Sequence, residues 1–425
     1  MAGPIVIDDS PGPSRASAYG WVVFALSFGL LMSDHMARQV LAAVGPQIKS
    51  EWSLSDAELA SLSSVVALAV GLLTLPLSYI ADRFGRVKSL VAMALLWSLA
   101  TLAGAWAQSY PQMLAARLFV GVGEAAYGSV GIAVVLAVFP THMRATLSSS
   151  FLAGSIAGQM AGVILGAQIA ATHGWRSSFV AIGIFGLVLA LIYPMVVREN
   201  RLGTPPERKR LEWRELARLL FGRPLLPLTY FAGGIQLFCT GTLAVFLPIL
   251  FTRHYGMALD VAGRSTAIFL MLCAIGMVSC GVLVDRMARR DPAITPKLSI
   301  GFSLLSAALF AGAFFSPPGQ LQLVLIGGAL LVVAGITGVT GSMVANATPR
   351  EIHSTSMAVL ALAYNLLGLA PGPIVTGWLS DQYDLLVALK FLPLPCLLSA
   401  AAMVFAGRLY SAEMKAKNSA KVEMN

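Results

Sequence analysis

A dozen apolar stretches, each about long enough to cross a bilayer, constrain this chain more than any single motif. They fall near 19–44, 57–80, 88–107, 112–137, 147–171 and 178–197, and, after a charged interval, near 224–252, 260–283, 297–316, 320–346, 352–378 and 385–407. A spanning helix takes about 20 apolar residues, so twelve take roughly 240. The 425-residue chain then has room for short connections and for no large soluble domain. Charged residues make up only 12% of it, against about 25% in soluble proteins. In lipid every backbone polar group must be satisfied internally, and runs this long do so as helices. The chain is therefore expected to be an all-α membrane protein of twelve transmembrane helices. Its first 18 residues are polar and lack the basic, apolar, small-residue order of a cleaved signal, so the first helix is expected to stay in the membrane.

Charge sets the expected orientation. Lys and Arg on alternate connections divide 22 to 4. The rich side holds Arg83, Arg86, Lys88, eight residues between Arg198 and Arg223, and the C-terminal lysines. The poor side holds Lys49, Arg176, Arg253 and Arg264. The positive-inside rule then puts both termini and the central loop in the cytoplasm of a cell with the chain in its inner, or plasma, membrane. The net charge of +9 thus points to an anionic lipid leaflet as neighbour and away from nucleic acid.

The same loop divides the chain. We read residues 1–18 as a cytoplasmic tail, 19–197 as a six-helix half, 198–223 as a cytoplasmic linker, 224–407 as a second six-helix half and 408–425 as a C-terminal tail. Glu207 to Leu220 has the composition of an amphipathic surface helix. A repeat supports the division. Asp82-Arg83-Phe84-Gly85-Arg86 follows the second run and Asp285-Arg286-Met287-Ala288-Arg289 follows the eighth, 203 residues later. Two parallel halves place a substrate site between them near the midplane.

Charges inside the apolar runs are costly, roughly 2.5–3.5 kcal/mol each at a helix centre, and mark function. The first helix carries Asp34, His35 and Arg38, and the fourth carries Arg117 and Glu124. Asp34 and Arg38 share a helix face, as do Arg117 and Glu124. At 1.5 Å per residue both acids fall in the middle third of the membrane, roughly 20 Å from where their helices enter. The second half has no comparable charge. It offers Gln236, Phe238, Tyr364 and Asn365 as milder candidates for contact with substrate. Gly154, Gly158, Gly162 and Gly166 line one face of the fifth helix, a stripe for close packing. Gly121-Val122-Gly123 lies within an apolar helix with no preceding strand, so it is no dinucleotide fingerprint. Cys239, Cys273, Cys280 and Cys396 lie inside apolar runs with no metal or disulfide spacing. No metal cluster, nucleophile elbow or phosphate loop is visible, so neither an enzyme nor a cofactor is expected.

The Asp82–Arg86 turn resembles the signature loop of the major facilitator superfamily, with Ser78 where that pattern opens on glycine. In the second copy, Gly281 holds the opening glycine and Ala288 replaces the inner one. The resemblance implies a gating role for Asp82, Arg83, Gly85, Arg86, Asp285 and Arg286, with Asp82 facing the helix start at Thr348-Pro349-Arg350-Glu351. The segment Arg117-Leu118-Phe119-Val120-Gly121-Val122-Gly123-Glu124-Ala125-Ala126-Tyr127 resembles Spinster-like transporters and the related organic anion:proton symporters. So do Gly174-Trp175-Arg176, Gly368 to Pro373 and Gly377-Trp378-Leu379-Ser380-Asp381. That resemblance implies proton-linked carboxylates at Asp34 and Glu124. It implies substrate contacts among Arg38, His35, Arg117 and Tyr127, with Arg117 as partner of the acids or as anion anchor. Those relatives follow the first-helix Asp directly with Arg. Here His35 follows, and either His35 or Arg38 takes that role. The implied protein is a monomeric, proton-coupled transporter of a lysolipid or an organic acid. A drug-efflux antiporter is the alternative, disfavoured by the absence of a Gly-Pro pair in the fifth helix.

Overall fold

The computed structural model describes residues 17–140, 143–201, 213–288, 294–349 and 352–423. Twelve helices long and apolar enough to cross a membrane are present: α1 (Ala18–Trp52), α2 (Asp56–Ala81), α3 (Arg86–Ala105), α4 (Tyr110–Ala137), α5 (Thr146–His173), α6 (Trp175–Val196), α7 (Leu225–His254), α8 (Leu259–Ala288), α9 (Ile294–Phe315), α10 (Gln320–Ala347), α11 (Thr355–Gln382) and α12 (Leu385–Ser411). Each of the twelve apolar runs corresponds to one of them. Their ends are set by local chemistry. The Ser17 hydroxyl accepts from Gly20 N at 3.0 Å to start α1. Ser55 and Glu58 form a reciprocal capping box at the start of α2. Between α2 and α3, Gly85 turns the chain at φ +102°, a conformation that a side chain would strain.

Four helices depart from regular winding, α12 by a break at Lys390–Leu392 between its first turn and Pro393. The α4 helix breaks at Ala125-Ala126, immediately after Glu124, and α10 breaks at Ala334. In the two-half arrangement these are corresponding helices. The α11 helix carries a π turn at Tyr364–Leu369, just before Pro371 and Pro373. Such irregular turns free backbone groups and are common at functional sites.

The glycine stripe of α5 packs on α1. A Cβ at Gly158 would stand 2.4 Å from Met32 O, and one at Gly162 would stand 2.9 Å from Met36 O. The linker contributes a helix at Trp213–Phe221, and residues 207–212 of the Glu207–Leu220 expectation lie outside the described residues. It does not simply lie on lipid. Leu220 is buried in a cluster with Leu226, Tyr230, Val344 and Ile352, and Phe221 meets the edge of Tyr230 at 6.3 Å.

The halves meet through α2 with α11, α5 with α8, and α1 with α7. Their close approaches gather toward the end that carries the α1–α2, α7–α8 and α11–α12 connections. There Gly377 lies against Asp56 O and Ala57, and Gly263 against Ala167. Deepest among the hydrogen bonds between halves is the one from Gln39 Nε2 to Ala244 O, at 3.2 Å. At the opposite end α2 exposes Leu72, Tyr79 and Ile80, and α11 exposes Met357.

Candidate functional site

The charged residues of α1 and α4 converge, and they pair differently from the expectation. Arg38 reaches across to α4, where Nε and Nη2 donate to Glu124 Oε2 at 3.1 and 2.8 Å. The carboxylate of Glu124 is fully buried, while the Arg38 side chain remains 27% exposed. Asp34 is also buried, on the same side of α1 as Arg38. Asp34 Oδ1 and Glu124 Oε1 receive no bond from any fixed donor among the described residues. His35 Nδ1 lies 3.1 Å from Leu31 O and 3.6 Å from Asp34 Oδ2.

Arg117 is neither the partner of Glu124 nor open to an anion in this structure. It is fully buried. Its Nη1 donates to Ala37 O at 2.7 Å and Nη2 to Arg38 O at 3.0 Å, with a longer bond of 3.4 Å from Nε to Leu62 O. The guanidinium thus ties α4 to the backbones of α1 and α2. Sharing a helix face with Glu124 did not decide its partner. The crossing of α1 over α4 put helical carbonyls nearer than the carboxylate.

The glycines beside Glu124 explain its depth. A Cβ on Gly121 would stand 2.8 Å from Val66 O, and one on Gly123 would stand 2.7 Å from Trp97 N. The helix can bring Glu124 this close to α1 only because α2 and α3 press directly on its backbone. The break that follows releases Ala125 O, which accepts from Thr74 Oγ1 at 2.7 Å. Tyr127 is fully buried, and its hydroxyl donates to Ser27 O at 2.7 Å. It stands behind the charged cluster as support and has no access to a ligand in this conformation.

The second-half residues scatter. Gln236 is fully buried, with both side-chain amide atoms unpaired among the described residues. Tyr364 Oη lies 2.6 Å from Thr340 Oγ1. Asn365, in the π turn, donates to Ala361 O and leaves Oδ1 unpaired among the described residues; its Cβ comes 2.9 Å from where a Cβ on Gly71 would be, at the junction of the halves. Phe238 instead lines an apolar groove of about 270 Å3 with Val375, Leu379, Phe391 and Leu398, between α7, α11 and α12. It therefore turns away from α1.

The gating residues are placed only in part. The side chain of Asp82 lies outside the described residues, as do Arg350 and Glu351. The helical turn leading into α11 begins at His353 rather than Pro349. The Thr348 hydroxyl donates back to Val344 O at 2.8 Å, and the Arg350 and Glu351 amides it would cap lie outside the described residues. Arg83, Asp285 and Arg286 are exposed. At Arg86 the turn is closed from outside the motif: Glu199, beyond α6, accepts from Arg86 N at 2.7 Å and Val87 N at 2.8 Å.

At the closed end a second charged cluster appears that sequence reasoning missed. Asp56, at the start of α2, accepts from Arg253 of α7 at 2.9 and 2.8 Å, from Lys49 of α1 and from Ser380 of α11. In return Asp381 of α11 accepts from Asp56 N at 2.6 Å and Ala57 N at 2.9 Å. A signal for it existed. Lys49 and Arg253 are two of the four basic residues on the poor side, and Ser380-Asp381 belongs to a segment already singled out.

Residues 26–340 match the family described as the Major Facilitator Superfamily. A 4-hydroxybenzoate transporter, PcaK, of Pseudomonas putida is 26% identical over 80% of this chain and 82% of its own length. An MFS-type efflux pump of Mycolicibacterium smegmatis is 29% identical over 94% of this chain and 93% of its own. The solved structure of a bacterial homologue of the human lysosomal transporter Spinster, inward-facing and unoccupied, has the same fold. It superposes with a TM-score of 0.84 at 20% identity, covering 93% of this chain and 98% of the other. With twelve spanning helices, two halves and a family match over most of its length, the chain belongs to the Major Facilitator Superfamily of membrane transporters.

Proposed function

We propose that this chain is a proton-coupled secondary transporter of small organic acids, working by alternating access in the inner membrane, with its termini and linker in the cytoplasm. The observation that carries the reading is the Arg38–Glu124 pair, with a second buried carboxylate, Asp34, one turn before Arg38 on α1. Arg38 is the partly exposed partner and Glu124 the buried one. A proton arriving on the Asp34–Glu124 pair weakens the hold on Arg38 and frees its guanidinium for a substrate carboxylate. Loss of that proton restores the internal pair and expels the anion. Proton and anion therefore occupy the site together. In the orientation that the charge bias supports, the Asp56 cluster holds the periplasmic end together.

A relative named for 4-hydroxybenzoate supports the small-acid reading over a lysolipid. The relative named as an efflux pump supports a second reading, in which the same site exports its ligand. Uptake of labelled 4-hydroxybenzoate into proteoliposomes, with and without an imposed pH gradient, tests the proposal. Wild-type protein should accumulate it inward down the proton gradient. Glu124→Gln should lose accumulation and keep exchange, and Asp34→Asn should at least lose accumulation. If Glu124→Gln accumulates substrate with the wild-type pH dependence, the pair is a static strut and the coupling lies elsewhere.

A further inference from the structure

Two partly buried polar side chains near the middle of α1, His35 and Arg38, differ in what they offer a ligand. Arg38 spends Nε and Nη2 on Glu124, and Nη1 has no partner among the described residues. A guanidinium offers only donors, so this corner of the site suits a carboxylate. His35 offers the opposite. Its Nδ1 faces two acceptors, Leu31 O at 3.1 Å and Asp34 Oδ2 at 3.6 Å. An acceptor on that side requires a proton on Nδ1, and in the neutral ring this leaves Nε2 with a lone pair. Nε2 has no hydrogen-bond partner among the described residues, and the side chain is 21% exposed.

The ring also faces the right way. His35 lies one turn before Gln39, whose amide reaches Ala244 O on α7. The face of α1 that carries both is the one turned toward the second half. Gly158 of α5 presses on the same face: a Cβ there would stand 2.9 Å from His35 Cβ. This contact and the Leu31 bond hold the imidazole in one orientation. His35 and Arg38 are three residues apart, so they are neighbours on the helix surface. One small ligand can reach both.

We infer that His35 is a specificity residue of this transporter: its Nε2 accepts a hydrogen bond from a hydroxyl of the substrate while Arg38 Nη1 holds the carboxylate. The preferred ligand class is then hydroxylated organic acids, with the unsubstituted acid bound more weakly. The inference rests on the organic-acid reading above and narrows it.

The test is ligand stabilisation of the purified full-length protein, read as a shift in thermal unfolding, which reports affinity through mass action. Two matched pairs serve as probes, 4-hydroxybenzoate with benzoate and gluconate with hexanoate. Wild type should bind the hydroxylated member of at least one pair about 3- to 10-fold more tightly, the range of one net hydrogen bond. His35→Leu should bring that ratio close to one. His35→Gln, which keeps an acceptor at about the position of Nε2, should retain much of it. His35→Ala gives the same reading if the leucine variant fails to fold. Equal affinities within both pairs in wild type, or an unchanged ratio in His35→Leu, overturn the role of His35 and leave the organic-acid reading standing. If none of the four acids shifts the wild-type transition, the organic-acid reading falls, and this inference falls with it.

Discussion

Arg253 on α7 grips Asp56 on α2 through both terminal nitrogens, at 2.9 and 2.8 Å, and so joins the two halves at one end of the bundle. The same carboxylate takes Lys49 and Ser380, and Asp381 returns the contact by bonding the first two amides of α2. A carboxylate at a helix N-terminus also meets the positive end of its dipole. The clamp is thus built twice, once by side chains and once by a cap reaching across the interface.

Weakening this clamp should open that end. Hydrogen bonds to charged groups are worth about 1.5–3 kcal/mol each, so losing one is enough to move a conformational equilibrium about tenfold or more. Asp56→Asn and Asp381→Asn should each increase modification of a cysteine introduced at Gln39, by a reagent applied from the closed end. Spin-label distances between the ends of α2 and α11 should lengthen in the same variants. Unchanged labelling and distances in both would show that apolar packing alone holds the halves together there.

Arg117 should prove to be a stability residue before it is a binding residue. Its guanidinium satisfies three buried carbonyls. Unpaired buried polar groups cost about 1–3 kcal/mol each. Arg117→Met should therefore lower the thermal transition and expression, and the ligand affinity of the folded fraction should change little. A variant as stable as wild type that no longer binds 4-hydroxybenzoate would restore the anion-anchor role that the family resemblance implies.

The glycines of α4 make a graded test of packing. Gly123→Ala places a methyl group 2.7 Å from Trp97 N, and backbone there has no rotamer to yield. It should destabilise by about 1–3 kcal/mol, the range of an overpacked core. It should also displace Glu124 and slow transport. Gly128, a few residues on, has nothing within 4 Å of its Cβ position, and Gly128→Ala should be close to neutral. Equal effects at the two positions, read by thermal unfolding, would sink the packing account.

Orientation is open to direct measurement. Cysteines placed at Ser10, Pro206 and Ser419 should resist a membrane-impermeant thiol reagent in intact cells and react after permeabilisation. Ready labelling at any of them in intact cells would reverse the topology, and with it the assignment of the Asp56 cluster to the periplasmic side.

Membrane helices are legible in a sequence because their main constraint is local. Each must be apolar over one bilayer thickness and satisfy its own backbone, so twelve runs read along the chain become twelve helices. The depth of Asp34 and Glu124 was legible for the same reason, since helical rise is constant. Partners are another matter. Arg117 and Glu124 share a face of one helix, yet the crossing of α1 and α4 gave Glu124 to Arg38 and gave Arg117 to three carbonyls. Phe238 looked like a cavity residue by composition, and the rotation of α7 turned it toward α11 and α12. Asp56 lies just before the second apolar run, where nothing along the chain marks it. Its meeting with Lys49, Arg253, Ser380 and Asp381 depends on how the halves tilt together, because contacts between residues some 200 or 300 positions apart leave no periodic trace along the chain. Spacing along one helix therefore settled which residues lie in the membrane and how deep, and the packing of helices against one another decided which of them touch.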